Sequence, residues 1–239
     1  QVLNAREYGQ AMWQAFVNEG QDPNVNGLGY AFDWGYNSQG HPVLNSVSMN
    51  RFLDEAGTTP SADTDWFKET TRTGFVQNYN LSVSSGTKKS SSFFSLGYYK
   101  NLGIIKNSDF DRISARVNTE YNLIGDILKI GEHLTINRST QVSAPGGFLQ
   151  NVLQFNPSIP VYTLDGNYGG PVGGYPDRNN PVAVLNRNKD NRYTYWRMFG
   201  DAYLNLNPLK GFNVRTTFGI DYSQMAQRIF TYPITEGNV

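Results

Sequence analysis

Cysteine is absent from this 239-residue chain, and histidine occurs only twice, at His41 and His133. The lack of cysteine excludes a disulfide framework, a thiol nucleophile and Cys-based metal centres. His41 precedes Pro42 in a loop-like stretch and His133 lies in an alternating one, so the pair has no metal-ligand spacing. A G-x-S-x-G elbow and a phosphate-cradling P-loop are both missing. Carboxylate pairs of the kind a glycosidase uses have no separation readable from sequence. An enzyme is therefore not expected, and no catalytic residue, cofactor or metal site is nominated. Charge of one sign is also lacking. Twenty basic and twenty acidic residues give a formal net charge of zero, which argues against nucleic acid as a partner. Long hydrophobic runs are missing too, so no stretch of about eighteen apolar residues offers a membrane helix. The mean hydropathy of -0.49 still leaves a barrel open, because barrel strands hide their apolar residues at alternate positions. The chain starts at Gln1 without a basic start and apolar core of a signal peptide. It ends in polar residues, Thr235 to Val239, and it reads as an internal part of a longer protein.

What is present is alternation. Between Gln77 and Ser85, Tyr79, Leu81 and Val83 alternate with Asn78, Asn80, Ser82 and Ser84, the period of a strand with one apolar face. Ser91 to Lys100 repeats this with Phe94, Leu96 and Tyr98. Asp111 to Tyr121 sets Ile113, Ala115, Val117, Thr119 and Tyr121 against Arg112, Ser114, Arg116, Asn118 and Glu120. A fourth strand is expected from Leu128 to Arg138, with Glu132 interrupting its apolar face as a bulge, a rim position or a partnered group. A fifth is expected from Arg192 to Leu206, and a sixth from Phe212 to Tyr222. Soluble strands usually need about five or six residues, whereas a tilted strand crossing a bilayer needs about nine to eleven. The expected fold is all-β: part of a large antiparallel transmembrane β-barrel, apolar toward lipid and polar toward the lumen. Six strands do not close such a lumen, and plugged transporters use about twenty-two. A soluble β-rich carbohydrate-binding or adhesin module is the alternative.

The connections sort by length. Residues 86–90, 122–127 and 207–211 are short turns, expected on the periplasmic side, and the long connections are expected outside the cell. The organisation is then an extracellular loop region with short helices over residues 1–76, four strands over 77–138, and a long extracellular loop over 139–191. Two strands over 192–222 and the start of another outer loop over 223–239 complete it. Within the first region a helix is expected from Leu3 to Asn18. Asn4 and Glu7 make its capping box, Leu3 and Tyr8 its staple, Gly20 its stop, and Tyr8, Met12, Ala15 and Phe16 its packed face. Further short helices are expected at Val47–Ala56, Asp65–Glu69 and Phe148–Phe155. Asp22, Asn24, Asn26, Gly27 and Asp33 form a weak match to a calcium loop. Pro23 and the missing Glu make an ordinary loop the better reading.

An ordered set of short motifs resembles one family, the SusC/RagA-like TonB-dependent outer-membrane transporters. It comprises Asn80-Leu81-Ser82-Val83-Ser84, Ser95-Leu96-Gly97-Tyr98, Gly103-Ile104-Ile105-Lys106, Ser108-Asp109-Phe110 and Arg112 through Asn118. Leu128-Lys129-Ile130-Gly131, Asn180-Pro181-Val182-Ala183 and Lys210-Gly211 through Phe218-Gly219 follow in the family's order, with Asn4-Ala5, Glu7-Tyr8 and Thr64-Asp65-Trp66 ahead of them. The resemblance implies a barrel in the Gram-negative outer membrane with an N-terminal plug, energised by the TonB complex through regions absent from this chain. It also implies a SusD-like surface lipoprotein as lid and import of oligosaccharides or peptides.

On that reading Arg112, Arg116, Glu120, Arg197, Asp201, Arg215 and Asp221 face the lumen. Tyr30, Trp34, Tyr36, Tyr168 and Tyr175 are candidates for contact with substrate or partner, since aromatics favour binding interfaces. They are equally placed to pack on one another as the core of an ordered loop. Tyr98, Tyr121 and Tyr222 fit an interfacial aromatic girdle.

Overall fold

The computed structural model describes residues 2–25, 28–125, 127–170 and 179–234. Two compact units emerge: Gln1–Arg72 with Ala144–Asn188 and Thr231–Val239, and Thr73–Ser143 with Lys189–Phe230.

In the first unit, helix α1 (Ala5–Asn18) begins on the capping box read from the sequence. The Asn4 side chain accepts from the Glu7 N–H at 2.8 Å, and the Glu7 carboxylate accepts from the Asn4 N–H at 3.0 Å. Gly20 at φ +70° ends it, and the Gln21 N–H reaches back to the Phe16 carbonyl. The packed face is rotated from the expected one: Ala5, Gly9 and Trp13 are buried, while Ala15 is exposed. The reason is a hairpin of β1 (Tyr30–Tyr36) and β2 (Pro42–Met49). A Cβ at Gly9 would lie 2.7 Å from the Tyr30 ring and 2.8 Å from Val47 Cγ1, so only glycine admits the hairpin there. Trp13, Tyr30 and Phe32 form the core, with Trp34, Leu44 and Val47 against it. The hairpin corrects two expectations, a loop over 27–42 and a helix at Val47–Ala56. The alternation of Tyr30, Phe32 and Trp34 is that of a strand, and Val47 belongs to its partner.

Three short helices complete this unit: α2 (Trp66–Thr70), capped by Asp65, α3 (Phe148–Gln154) and α4 (Pro181–Asn188). Trp66, 4% exposed, meets Phe155 edge-on at 4.8 Å, and its Nε1 donates to the Asn156 carbonyl at 3.0 Å. The Thr64 hydroxyl donates to the Ile159 carbonyl. Helix α4 was not anticipated, although Asn180 before Pro181 is a start signal. Asn180 is fully buried; its Oδ1 accepts from the Val182 and Ala183 N–H groups, and its Nδ2 donates to the Val161 and Gly169 carbonyls. An Asn180→Ala change strands these groups, each worth about 1–3 kcal/mol when buried and unsatisfied. Amide exchange over residues 181–188 should therefore accelerate by more than tenfold, and unchanged protection would contradict this role.

The second unit is one antiparallel sheet in simple sequence order: β3 (Phe75–Gly86), β4 (Ser90–Leu102), β5 (Asp109–Ile124), β6 (Leu128–Val142), β7 (Arg192–Leu209) and β8 (Phe212–Arg228). Strand lengths run from 12 to 18 residues. Each strand extends past its alternating stretch, and in β8 the added residues, Ser223 to Arg228, are mostly polar and hide the period.

Register makes the faces explicit. Val83, Phe94, Val117, Leu134, Gly200 and Ile220 form one row across all six strands of the apolar face. Leu81 and Phe218 on that face are 72% and 76% exposed, so none of the described residues covers them. Glu132 sits on this face too, and it is partnered: the hydroxyl of Thr119, directly opposite, donates to its carboxylate.

Candidate functional site

The other face of the sheet is a ladder of polar and charged side chains. All seven residues expected toward the lumen, Arg112, Arg116, Glu120, Arg197, Asp201, Arg215 and Asp221, lie on it by register. Arg197 and Asp221 pair in two-pronged fashion at 3.1 and 2.7 Å. Arg116 Nε donates to the Thr135 hydroxyl, and the Arg112 guanidinium lies 5.8 Å from the Tyr99 ring centroid. Most of these groups are open to water, where single ion pairs contribute little stability. The ladder's main property is instead a dense, mixed-sign polar surface on a rigid sheet.

Its most ordered part lies near the short turns. Tyr203 of β7, 8% exposed, lays its ring across Gly131 of β6, and its hydroxyl donates to Glu120 Oε2 of β5 at 2.5 Å. Lys129 Nζ holds the other Glu120 oxygen at 2.9 Å. The Arg215 guanidinium sits 3.9 Å from the Tyr203 ring centroid, and the His133 ring stacks on Tyr203 at 5.7 Å. His133 Nδ1 lies 3.2 Å from the Asp201 carboxylate. Sequence reasoning missed Tyr203 as the organiser of this group. The available signal was a mid-strand glycine beside an aromatic, the pattern in which a ring covers the bare backbone. A Cβ at residue 131 would come within 2.6 Å of the Tyr203 ring, whereas one at Gly219, on the same face, meets only the Gly200 carbonyl oxygen at 3.7 Å. Gly131→Val should thus lower stability by about 1–3 kcal/mol, and Gly219→Val by clearly less. Urea midpoints of the two variants side by side test this.

The loop aromatics divide. Tyr30 is corrected from a contact residue to a core residue: it is 4% exposed, and its hydroxyl donates to the Ala5 carbonyl at 2.7 Å. Burial follows from its place on the inner face of β1. Trp34 is half-buried, edge-on to Trp13 at 6.5 Å, and Tyr36, 70% exposed, leans on it at 5.6 Å. Tyr168 stacks on Tyr162 at 5.3 Å, accepts from Asn186 Nδ2, and lies 5.6 Å from the Arg187 guanidinium. Partial burial pushes the Tyr162 hydroxyl up, with Tyr168 and Glu69 adding to the effect. Tyr175 lies outside the described residues. The calcium-loop match loses its ligand at Asn24, whose amide bonds both the N–H and the carbonyl of Phe32; Asn26 and Gly27 are outside the described residues. No group of three acidic or His side chains with metal-binding geometry occurs among the described residues.

No family model matches the sequence. Individual relatives do. The TonB-dependent receptor P26 of Formosa agariphila is 29% identical over 184 residues, 75% of this chain and 18% of that protein. The TonB-dependent receptor P3 of the same organism is 30% identical over 170 residues, 66% and 16% of the two chains. The TonB-dependent receptor SusC of Bacteroides thetaiotaomicron is 30% identical over 135 residues, 56% and 13%. Among solved structures, the RagAB peptide transporter matches with a TM-score of 0.62 at 19% identity, over 94% of this chain and 26% of that one. The closed-closed RagAB peptide importer matches with 0.55 at 22% identity, over 72% and 21%.

In sequence the chain is similar to SusC and other TonB-dependent receptors. At such identities the RagAB likeness is one of fold, an antiparallel barrel wall with helix-bearing connections. The chain spans under a fifth of the length of these curated relatives. Those relatives are named as receptors, and the structural neighbours as importers, none as an enzyme.

Proposed function

We propose that this chain is a stretch of wall, with its outer loops, in a TonB-dependent importer of the Gram-negative outer membrane. The observation that carries the reading is the sheet's two-sidedness. Six strands of 12 to 18 residues share an uncovered apolar face and a continuous polar ladder behind it. Lipid suits the first face and a wet or plugged lumen the second. An open sheet edge is not tolerated in lipid, so the barrel is completed by further strands, about twenty-two in all for a plugged lumen.

The short turns after β3, β5 and β7 then face the periplasm. The α1–β2 region, the long 143–191 connection and the stretch after Arg228 lie outside the cell, where a SusD-like lipoprotein closes over them. The imported substrate is an oligosaccharide or a peptide. Trp34, Tyr36, Tyr168 and Tyr175 are the aromatics offered to it or to the lid, and TonB acts through parts of the protein beyond this chain. The likeness to the RagAB peptide importers supports the peptide class, and the lid and the oligosaccharide class are what the family resemblance of the motifs implies.

The test is the intact mass of the native polypeptide extracted by detergent from outer membranes, with whatever copurifies. A mass several times 26.8 kDa with a lipoprotein attached is the expected result. A stable, detergent-free species near the chain's own mass overturns the reading.

A further inference from the structure

The end of the sheet away from its short turns carries an arrangement of charge that the import reading does not use. Arg192 of β7 and Arg228 of β8 stand directly opposite each other in register, both exposed, although like charges at facing positions repel. By the alternation of β7, both share the apolar face with Trp196. Arg138 of β6 is on that face as well, opposite Trp196, with its guanidinium 5.7 Å from the indole ring centroid. Among the described residues no carboxylate pairs with any of the three. Two carboxylates occupy the same end of the face. Asp111 stands opposite Lys100, so these two offset each other, and Asp109 stands opposite Leu102 and Val142. Cationic charge remains in excess. One row nearer the turns, the face becomes apolar at Leu96, Ala115, Ile136 and Met198.

We infer that Arg192 and Arg228 bind the phosphate-bearing headgroup of a membrane lipid, whose acyl chains lie along the apolar rows below. This rests on the proposed membrane setting of the sheet. A phosphate between Arg192 and Arg228 converts their repulsion into two charge-assisted contacts, and the planar guanidinium offers paired donors to its oxygens. Arg138, fixed over Trp196, marks the boundary where the aromatic border gives way to the apolar rows. A free anion would gain from the guanidiniums alone; the apolar rows that begin beyond Trp196 on the same face favour a lipid.

The experiment uses the full-length protein, purified in detergent and titrated with phosphatidic acid or phosphatidylcholine, with bound lipid read by native mass spectrometry. Phosphatidic acid should be retained in preference to phosphatidylcholine. Each of Arg192→Gln and Arg228→Gln should weaken that preference by about fivefold, the usual contribution of one basic residue near an anionic headgroup, and Arg138→Gln by less. Inorganic phosphate at the same concentration should not compete. Equal retention of both lipids by the unaltered protein overturns the inference while leaving the barrel intact, as does an undiminished preference in the Arg192→Gln, Arg228→Gln double variant. Competition by inorganic phosphate would assign the arginines to a soluble anion instead. Retention of neither lipid would remove the membrane reading itself.

Discussion

Val83→Arg is expected to destabilise the full-length protein in lipid vesicles by about 2–4 kcal/mol, the cost of an arginine on the lipid face near the middle of a bilayer. Ser82→Arg, one residue away, should stay within about 0.5 kcal/mol. Both positions are exposed within this chain, and Val83 is 62% so. A sheet bathed in water on both sides would therefore tolerate the two changes alike. Only a solvent that differs between the faces separates them, and Val83 lies in the middle of the apolar rows, with Phe94 opposite. The measurement is a reversible unfolding titration in vesicles, supplemented by the amount of folded protein recovered from outer membranes. Equal effects at the two positions would remove lipid from the apolar face.

Trp66→Ala should have the largest effect on the first unit, about 3–5 kcal/mol for a buried aromatic cut to a methyl. The indole fills space against Phe155 and satisfies the Asn156 carbonyl, so the change opens a cavity and leaves that acceptor without its donor. Trp66→Phe keeps most of the volume and loses the N–H, and should fall between the alanine variant and the parent. Proteolysis of residues 144–170 is a direct readout, because their packing depends on Trp66 while the sheet's strands do not. Unchanged cleavage in the alanine variant would show that the segment is held otherwise.

Much of this architecture was legible because a strand whose two faces meet different surroundings must alternate. Tyr79, Leu81 and Val83 announced β3, and Arg112, Arg116 and Glu120 of β5 sorted onto one face as the period requires. The capping box of α1 was legible for the same local reason, since Asn4 and Glu7 need only each other. What the sequence concealed was tertiary. The packed face of α1 is decided by the Tyr30 ring entering over Gly9, which no helical period records. The β1–β2 hairpin looked like a loop because its aromatics are interleaved with glycine and aspartate. Its turn is closed by the Asn37 side chain, which accepts from the Gln39 and His41 N–H groups. Glu132 looked like a flaw until its neighbour across the strands, thirteen residues earlier, supplied a hydroxyl. In the candidate site, charges were readable from the period, but Tyr203 became important only through register, which brings Glu120, Gly131 and Tyr203 into one row.

The strictly sequential strand order also sets a timetable for assembly. Four of the five joints in the sheet are hairpins whose strands meet soon after both exist, with few residues to immobilise between them. The fifth, β6 to β7, waits on residues 143–191, whereas β3 to β4 waits only on 87–89. That ratio is about four doublings of length, each adding roughly 0.6 kcal/mol of closure entropy. Two preformed pieces, β3–β6 and β7–β8, would thus exist before they join, each with a bare edge at the junction. The β6–β7 joint therefore carries the largest closure entropy of the five, and its connection folds largely into the other unit, together with residues 1–72.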